Sequence, residues 1–416
     1  MVELSFQNLE DAQMFKIENE IKFLIGKKIP PKKNPQKVFD VKICSFINEL
    51  SKAIFSNLNS KKYPDLISFA FWCRERNILK TKELYPDSSL RVGLGLLFHN
   101  CPSNIPLNFA YSFIFGLITG NNNIIKMPTK NFPQVDLLCE IIKKKFKDKR
   151  FNFIKNGNIF IKYDYSKNPS INYHLNKNCD GRLIWGSDET INKFKLIPVE
   201  KKNVDVFFPN RNSLGIINSD KLCKLNSLDL KKLCINFYND TYLVDQNACS
   251  SPQIIIWTGK KINAAKKIFW NQLKKIIYEK NYFLNFNSIS QKYLNFSKIL
   301  ISLNNLEKSI IHDQFIFLIN LKSISDDLNN IKLNQGIFLQ LSHDLKKNNK
   351  LKSFINKNYQ TLTYFGYEKV EIKKILSDIN YSGIDRVVPI GSALDMTFNW
   401  DGYDLISKLS RIIEIR

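Results

Sequence analysis

One cysteine stands in a setting that suits covalent chemistry. The stretch Phe237–Pro252 closes on Cys249 set among small residues, with Ala248 before it and Ser250, Ser251 and Pro252 after it. A hydrophobic run, Gln253-Ile-Ile-Ile-Trp257, follows and reads as a strand. A cysteine in a small-residue turn beside a strand keeps its sulfur clear of bulky neighbours. Backbone N–H groups of such a turn can point at the carbonyl that the sulfur attacks, which is the layout of a thiolate nucleophile with its own oxyanion donor. The competing reading is a structural cysteine packed as a small apolar residue. The local sequence leaves both open.

The other chemistry-bearing residue types form no pattern of their own. Eight cysteines, at 44, 73, 101, 139, 179, 223, 234 and 249, include no C-x-x-C pair, and His99, His174, His312 and His343 show no ligand spacing. Neither a metal site nor a disulfide framework is expected, and a reducing, cytoplasmic compartment fits best. Gly93-x-Gly95 lacks the third glycine of a dinucleotide fingerprint and falls inside what reads as a strand, so it predicts no phosphate loop.

At 416 residues, with 44% hydrophobic and 12% aromatic content, the chain is large enough for two cored domains and too apolar for wholesale disorder. Its net charge of +24 raises a nucleic-acid reading. The lysines are scattered rather than clustered, alongside an equal swelling of Asn, Ile and Phe, so no nucleic-acid partner is expected. Met1–Gln7 lacks the basic-then-apolar layout of a signal peptide. The longest apolar segment, Phe109–Thr119, is too short to span a bilayer, and a soluble protein without a membrane span is expected.

The elements that must position Cys249 follow from periodicity. Residues 36–60 and 64–80 carry apolar spacings of three and four and predict helices, after an exposed basic connector, Gly26–Pro35. From Arg91 the pattern becomes strand. A turn at Cys101–Pro106 leads into a helix through Leu117, and Ile124–Met127 is a further strand. Helix 132–147 and strands 158–163 and 182–185 follow. Gly186-Ser187 turns the last of these into helix Asp188–Phe194, where Ser187 is a good N-cap. Strands at 204–208 and 214–217 and helices near 261–280 and 367–378 complete the placed elements, with a final helix ending at Arg416. Residues 281–360 are too irregular to place. Alternating strands and helices predict an α/β fold with mostly parallel sheet covered on both faces.

Several pieces together resemble one family. Phe98-His-Asn-Cys-Pro-Ser-Asn-Ile-Pro-Leu-Asn-Phe-Ala-Tyr-Ser112, Gly120-Asn121, Phe132-Pro-Gln-Val-Asp136, Ile184-Trp-Gly-Ser-Asp-Glu-Thr-Ile191, Phe237-Tyr-Asn-Asp-Thr-Tyr242, Asp245-Gln-Asn-Ala-Cys-Ser-Ser-Pro252 and Asp385-Arg-Val-Val-Pro-Ile-Gly391 look like the LuxC-type acyl-CoA reductases. These are the reductase component of bacterial fatty-acid reductase, within the aldehyde dehydrogenase superfamily. The resemblance runs from about residue 90 to the C-terminus. It implies an aldehyde dehydrogenase-like fold of two Rossmann-like α/β domains. The expected division is a helical N-terminal part at 1–90 packed on the cofactor domain, an NAD(P)-binding domain at 91–217, a catalytic domain at 218–395 and a C-terminal helix at 396–416.

The resemblance also implies a reaction, NAD(P)H-dependent reduction of a fatty acyl thioester, acyl-CoA or acyl-protein, to the aldehyde through a thioacyl intermediate on Cys249. Asn104 resembles the superfamily asparagine whose amide holds the oxyanion; its plainer reading is a turn residue capping a helix that starts at Pro106. Gly186 and Ser187 resemble the turn that abuts the cofactor, with a simple strand-to-helix cap as the alternative. Lys126 resembles the lysine that contacts the adenosine ribose. Where NAD-preferring relatives place a carboxylate a few residues on, this chain has Thr129 and Lys130. A cation there suits a 2′-phosphate, so NADPH is expected over NADH, unless Lys130 is one solvated lysine among many. The stretch 207–214 contains no carboxylate where hydrolytic relatives carry a glutamate that activates water, which favours reduction over acid formation. By the same resemblance an acyl-protein synthetase partner and a homo-oligomer are expected. The rival readings are an aldehyde dehydrogenase working in the oxidative direction and a basic binding protein that kept the fold without catalysis.

Overall fold

Ile254–Thr258 and Phe317–Leu321 are buried along their whole length, and strands of that kind need helices on both faces of their sheet. Two such sheets form. The computed structural model describes residues 20–27, 34–85, 90–164, 169–199, 201–324, 328, 331, 333–344, 349–379, 381 and 383–416. The middle of the basic connector, residues 28–33, and the N-terminal residues 1–19 lie outside them. The chain divides into two compact units, one running to Pro209 and resuming at Met396–Arg416, the other Asn210–Asp395.

The first unit contains β1 (Lys22–Ile25), β2 (Leu90–Gly93), β3 (Leu96–Asn100), β4 (Asn122–Lys126), β5 (Asn158–Lys162), β6 (Gly181–Trp185) and β7 (Val204–Phe208). Its main sheet has the order β1-β5-β4-β3-β6-β7, parallel from β5 to β7, with β1 antiparallel at the edge. Among the parallel strands the chain enters at β3, steps outward through β4 and β5, then returns to the other side of β3 as β6. That reversal makes the carboxyl ends of β3 and β6 a topological switch point, the place where open α/β sheets take ligands in a crevice. Helices Asn108–Ile118 and Pro133–Lys145 cover one face, in a core shared with Phe46, Ile47, Leu66 and Phe69 of the N-terminal helices. Ile171, Leu175, Ile191 and Phe194 cover the other.

The second unit contains β8 (Asn212–Asn218), β9 (Ile254–Thr258), β10 (Leu306–Ile311), β11 (Phe317–Leu321), β12 (Ile337–Ser342), β13 (Tyr359–Phe365) and β14 (Arg386–Pro389). Their order is β10-β11-β12-β9-β8-β13-β14, parallel throughout except for antiparallel β10. Ile255 and Trp257 face Phe237, Phe269 and Trp270 of helices Ser227–Thr241 and Ile262–Glu279. Ile254 and Ile256 face Phe296 and Ile299 of helix Phe286–Ser302, as the period-two side-chain alternation of a strand requires.

Four expectations change. β8 pairs with β9 and β13, so the units divide after Pro209 rather than after 217. The strand read from Arg91 is two strands, because Gly95 at φ 142° turns the chain between them. The unplaced region 281–360 supplies a long helix and most of β10–β13. The final helix is replaced by β15 (Asn399–Trp400), β16 (Tyr403–Asp404), a short helix Leu405–Lys408 and β17 (Ser410–Ile413), which pairs with β2. Asp401 and Gly402, both at positive φ, make the two-residue Asp-Gly hairpin turn that breaks helical continuity.

A buried polar relay ties the first sheet together beside the crevice. Trp185 Nε1 donates to Ser112 Oγ at 3.2 Å, Ser112 Oγ meets His99 Nδ1 at 2.8 Å, and His99 Nε2 meets Asn123 Oδ1 at 2.9 Å. Asn123 Nδ2 donates on to Asn158 Oδ1 at 2.7 Å. The relay runs from β6 through β3 and β4 to β5, and its members are fully paired, as a buried network must be. Burial pushes the His99 pKa from 6.5 down to about 3. As pH falls through that window the unfolded chain takes up a proton that the folded imidazole refuses, so stability declines. The melting temperature should therefore fall between about pH 6.5 and 3, and His99→Gln, which cannot titrate, should flatten that part of the curve in differential scanning calorimetry.

Candidate active site

The first unit gathers its predicted residues on one edge. Asn100 Nδ2 donates to the Trp185 carbonyl at 3.1 Å, joining the ends of β3 and β6. From there the chain enters the exposed turn carrying Asn104. Ser103 Oγ lies 2.7 Å from Thr129 Oγ1 and accepts from the Thr129 N–H at 3.3 Å, so the Asn104 turn and the Thr129–Lys130 turn are stitched side by side. The capping reading of Asn104 does not hold, since the helix begins at Asn108 and its N-cap, Leu107, makes no side-chain bond.

The lysines differ. Lys126, at the end of β4, is nine-tenths buried with Nζ 5.4 Å from the centre of the Tyr163 ring. Burial draws its pKa down, and the neighbouring Cys101 and Asp164 oppose that. Lys130 and Thr129 are exposed. Across the crevice, Ser187 Oγ accepts from the Thr190 N–H at 3.3 Å and caps helix Asp188–Lys195. A Cβ at Gly186 would stand 2.8 Å from Thr190 Cγ2, so close strand-to-helix packing demands the glycine. The helix N-terminus, the exposed Lys130 and the switch-point crevice suit the phosphates of a dinucleotide.

The second unit holds Cys249, a residue that is half-buried while Ala248, Ser250 and Ser251 around it are buried. It lies at the amino end of β9, in a turn closed by the Ser251 N–H donating to the Ala248 carbonyl at 3.0 Å. Ser213 Oγ, from β8, donates to the Cys249 carbonyl at 2.6 Å and accepts from the Thr361 N–H at 3.2 Å. Gln246 is buried at positive φ, and its side chain binds the backbone of Pro252, Gly336 and Ile337. Sequence reasoning passed over both residues, because their partners lie up to 148 positions away. In the stretch 207–214 the charged residue is Arg211, which pairs with Asp385 and donates to the Tyr359 and Gly383 carbonyls. Asp240 accepts from the Gly391 and Ala393 N–H groups at 2.6 and 2.8 Å, and burial pushes its pKa up to about 7. Among the described residues no group of His, Cys, Asp and Glu could hold a metal ion, and no helix is long and apolar enough to cross a membrane.

Two parallel sheets of this topology define an α/β protein of the aldehyde dehydrogenase fold. An oxidoreductase from Marinobacter aquaeolei superposes with a TM-score of 0.66 at 10% identity, over 97% of this chain and 90% of that one. An indole-3-acetaldehyde dehydrogenase from P. syringae, in complex with NAD+, gives 0.60 at 9% identity, over 90% and 82%. Proline utilization A from Bradyrhizobium japonicum gives 0.63 at 10% identity over 89% of this chain, which spans only 42% of that protein's length. A comparison with curated proteins found no match. The family model for acyl-CoA reductase (LuxC) matches residues 75–412, and the chain belongs to that family of oxidoreductases.

Gly186→Ala should lower stability by about 1–3 kcal/mol, the usual cost of overpacking. Thr190→Ser, which removes the nearest methyl, should recover part of the loss in the double variant. Chemical denaturation of the three variants checks both, and an unchanged midpoint in Gly186→Ala would show that packing does not demand the glycine.

Proposed function

We propose that the protein reduces a fatty acyl thioester, carried on CoA or on a protein, to the aldehyde with NADPH. The observation that carries this reading is Cys249, a half-buried residue in a turn of small residues, in a chain of the acyl-CoA reductase family. As thiolate, Cys249 would attack the thioester carbonyl. A new carbon–sulfur bond forms, the old one breaks, and the carrier leaves as a thiol after taking a proton. A thioester suits this exchange because one thiolate replaces another and no strong external activation is needed.

The turn would bind the developing oxyanion through the Cys249 backbone N–H, and the family resemblance gives the Asn104 amide the role of a second donor. An amide suits that task because it stabilises negative charge without titrating. A nicotinamide, when bound, would supply a hydride and be left oxidised; on Cys249 the thioacyl carbon that took the hydride would become the oxyanion of a thiohemiacetal. Collapse of the thiohemiacetal breaks the carbon–sulfur bond, releases the aldehyde and returns the Cys249 thiolate. Arg211, locked in its ion pair, offers no base to activate water in the stretch 207–214, which supports reduction over hydrolysis.

Lys126, Thr129, Lys130, Gly186 and Ser187 would hold the cofactor. Helix Asp188–Lys195 would present its N-terminal N–H groups to the pyrophosphate, and the exposed Lys130 would meet a 2′-phosphate. The aldehyde dehydrogenase from P. syringae was solved with NAD+, so the nicotinamide class rests on fold likeness and the NADPH preference on Lys130 alone. An acyl-activating partner enzyme, a homo-oligomeric state and a cytoplasmic location complete the proposal by family resemblance.

Absorbance of NADPH should fall with a matching rise in aldehyde when long-chain acyl-CoA is supplied, and Cys249→Ala should abolish both. Consumption of neither nicotinamide with any acyl-CoA or acyl-protein would overturn the reading. Lys130→Glu should reduce the kcat/KM preference for NADPH over NADH by about tenfold, equivalent to roughly 1.4 kcal/mol. An unchanged ratio would remove the argument for the phosphate without touching the reaction.

A further inference from the structure

The turn that carries Cys249 hangs between two points that one side chain joins. Gln246 precedes the cysteine by three residues and Pro252 follows it by three. Gln246 Nε2 donates to the Pro252 carbonyl at 3.0 Å, closing the turn on itself. The same nitrogen donates to the Ile337 carbonyl at 3.2 Å, and Oε1 accepts from the Gly336 N–H at 3.1 Å. Both ends of the amide are therefore engaged by backbone, and the closed turn is pinned to the start of β12. The Gln246 N–H donates to the Thr241 carbonyl at 2.7 Å, fixing the turn to the end of helix Ser227–Thr241 as well.

The backbone geometry says that this anchoring has work to do. Asp245 and Gln246 sit at φ 50° and 59°, a consecutive left-handed pair without glycine, which the chain holds only where its surroundings over-determine it. The flanking bonds do so. Gln335 donates its N–H to the Asp245 carbonyl at 2.9 Å, and Tyr282 Oη donates to Asp245 Oδ1 at 2.7 Å. Gln246 is 1% exposed, and its amide bonds are to the backbone of Pro252, Gly336 and Ile337.

We propose that Gln246 is the positioning residue of the Cys249 thiol, setting the place of the sulfur by closing the Gln246–Pro252 turn and pinning it to β12. This rests on the reading of Cys249 as the nucleophile. A neutral amide is the group this place calls for. One donor nitrogen serves two carbonyls and one acceptor oxygen serves an N–H, which neither a carboxylate nor an apolar chain of the same length can do. A carboxylate would also set a negative charge in the turn of the thiol and disfavour its thiolate.

The test uses the full chain, with iodoacetamide alkylation at Cys249 followed by peptide mapping against Cys249→Ala as blank. In Gln246→Glu the alkylation profile should move to higher pH, and at pH 7 the rate should fall by about tenfold. Gln246→Met should slow alkylation without moving the profile. In both, kcat for aldehyde formation should fall by about tenfold to a hundredfold with KM little changed, the mark of a misplaced reacting group. Folding is followed by melting temperature and far-ultraviolet circular dichroism. Folded variants with wild-type alkylation and kcat would overturn the proposal. Failure of both variants to fold would overturn it too, by showing that Gln246 serves the fold as a whole. If the wild type makes no aldehyde while the alkylation shifts appear, the positioning role stands and the reductase reading falls.

Discussion

Strands buried on both faces are the constraint from which the rest follows. Once Phe98, Ile125, Ile255 and Phe317 are sealed between helices, the middle of neither sheet can meet a ligand, and chemistry is confined to the strand ends. In the first unit that places Asn104, Thr129, Lys130 and Ser187 beyond the carboxyl ends of β3, β4 and β6. In the second it places Cys249 at the amino end of β9. Ser103 ties the Asn104 turn to Thr129 and Ser213 of β8 grips the Cys249 carbonyl, so the precision of such turns derives from the rigidity of the sheets beneath them.

The two units use different devices for that anchoring. The first relies on side chain-to-side chain relays, the His99 network inside the sheet and the Ser103–Thr129 bond at its rim. Its members are uncharged, and burial keeps His99 so, which spares the sheet an unpaired interior charge. The second relies on side chains that grip backbone. Ser213 and Gln246 hold the Cys249 turn, Asp240 and Arg386 hold residues 391–395, and Arg211 holds the ends of β13 and β14. Grips of that kind fix a loop's course whatever its own side chains are.

Much of this was legible in the sequence, for physical reasons that differ by element. Cys249 stood out because small residues flank it and a β-branched run follows. Ser187 was readable because an N-cap is a local event, settled within three residues. The division of the chain was less legible, since β8 looks like any other apolar strand and only its partners, β9 and β13, assign it to the second sheet. Phe317–Leu321 and Ile337–Ser342 escaped because strands buried on both faces show no alternation. The hairpin at Trp400-Asp-Gly-Tyr403 carried a turn signal in its Asp-Gly pair that outweighs the helical look of the tail. Gln246 and Ser213 were beyond reach, because their roles consist of bonds to distant segments that no spacing rule encodes.

The central claim is that Cys249 takes the acyl group itself, and mass spectrometry asks this directly. Protein mixed with a long-chain acyl-CoA in the absence of nicotinamide should gain the mass of one acyl chain. Proteolysis should place that chain on the peptide containing Cys249, and hydroxylamine should remove it as it does other thioesters. An acyl-free Cys249 peptide, or an adduct on another of the eight cysteines, would contradict the account.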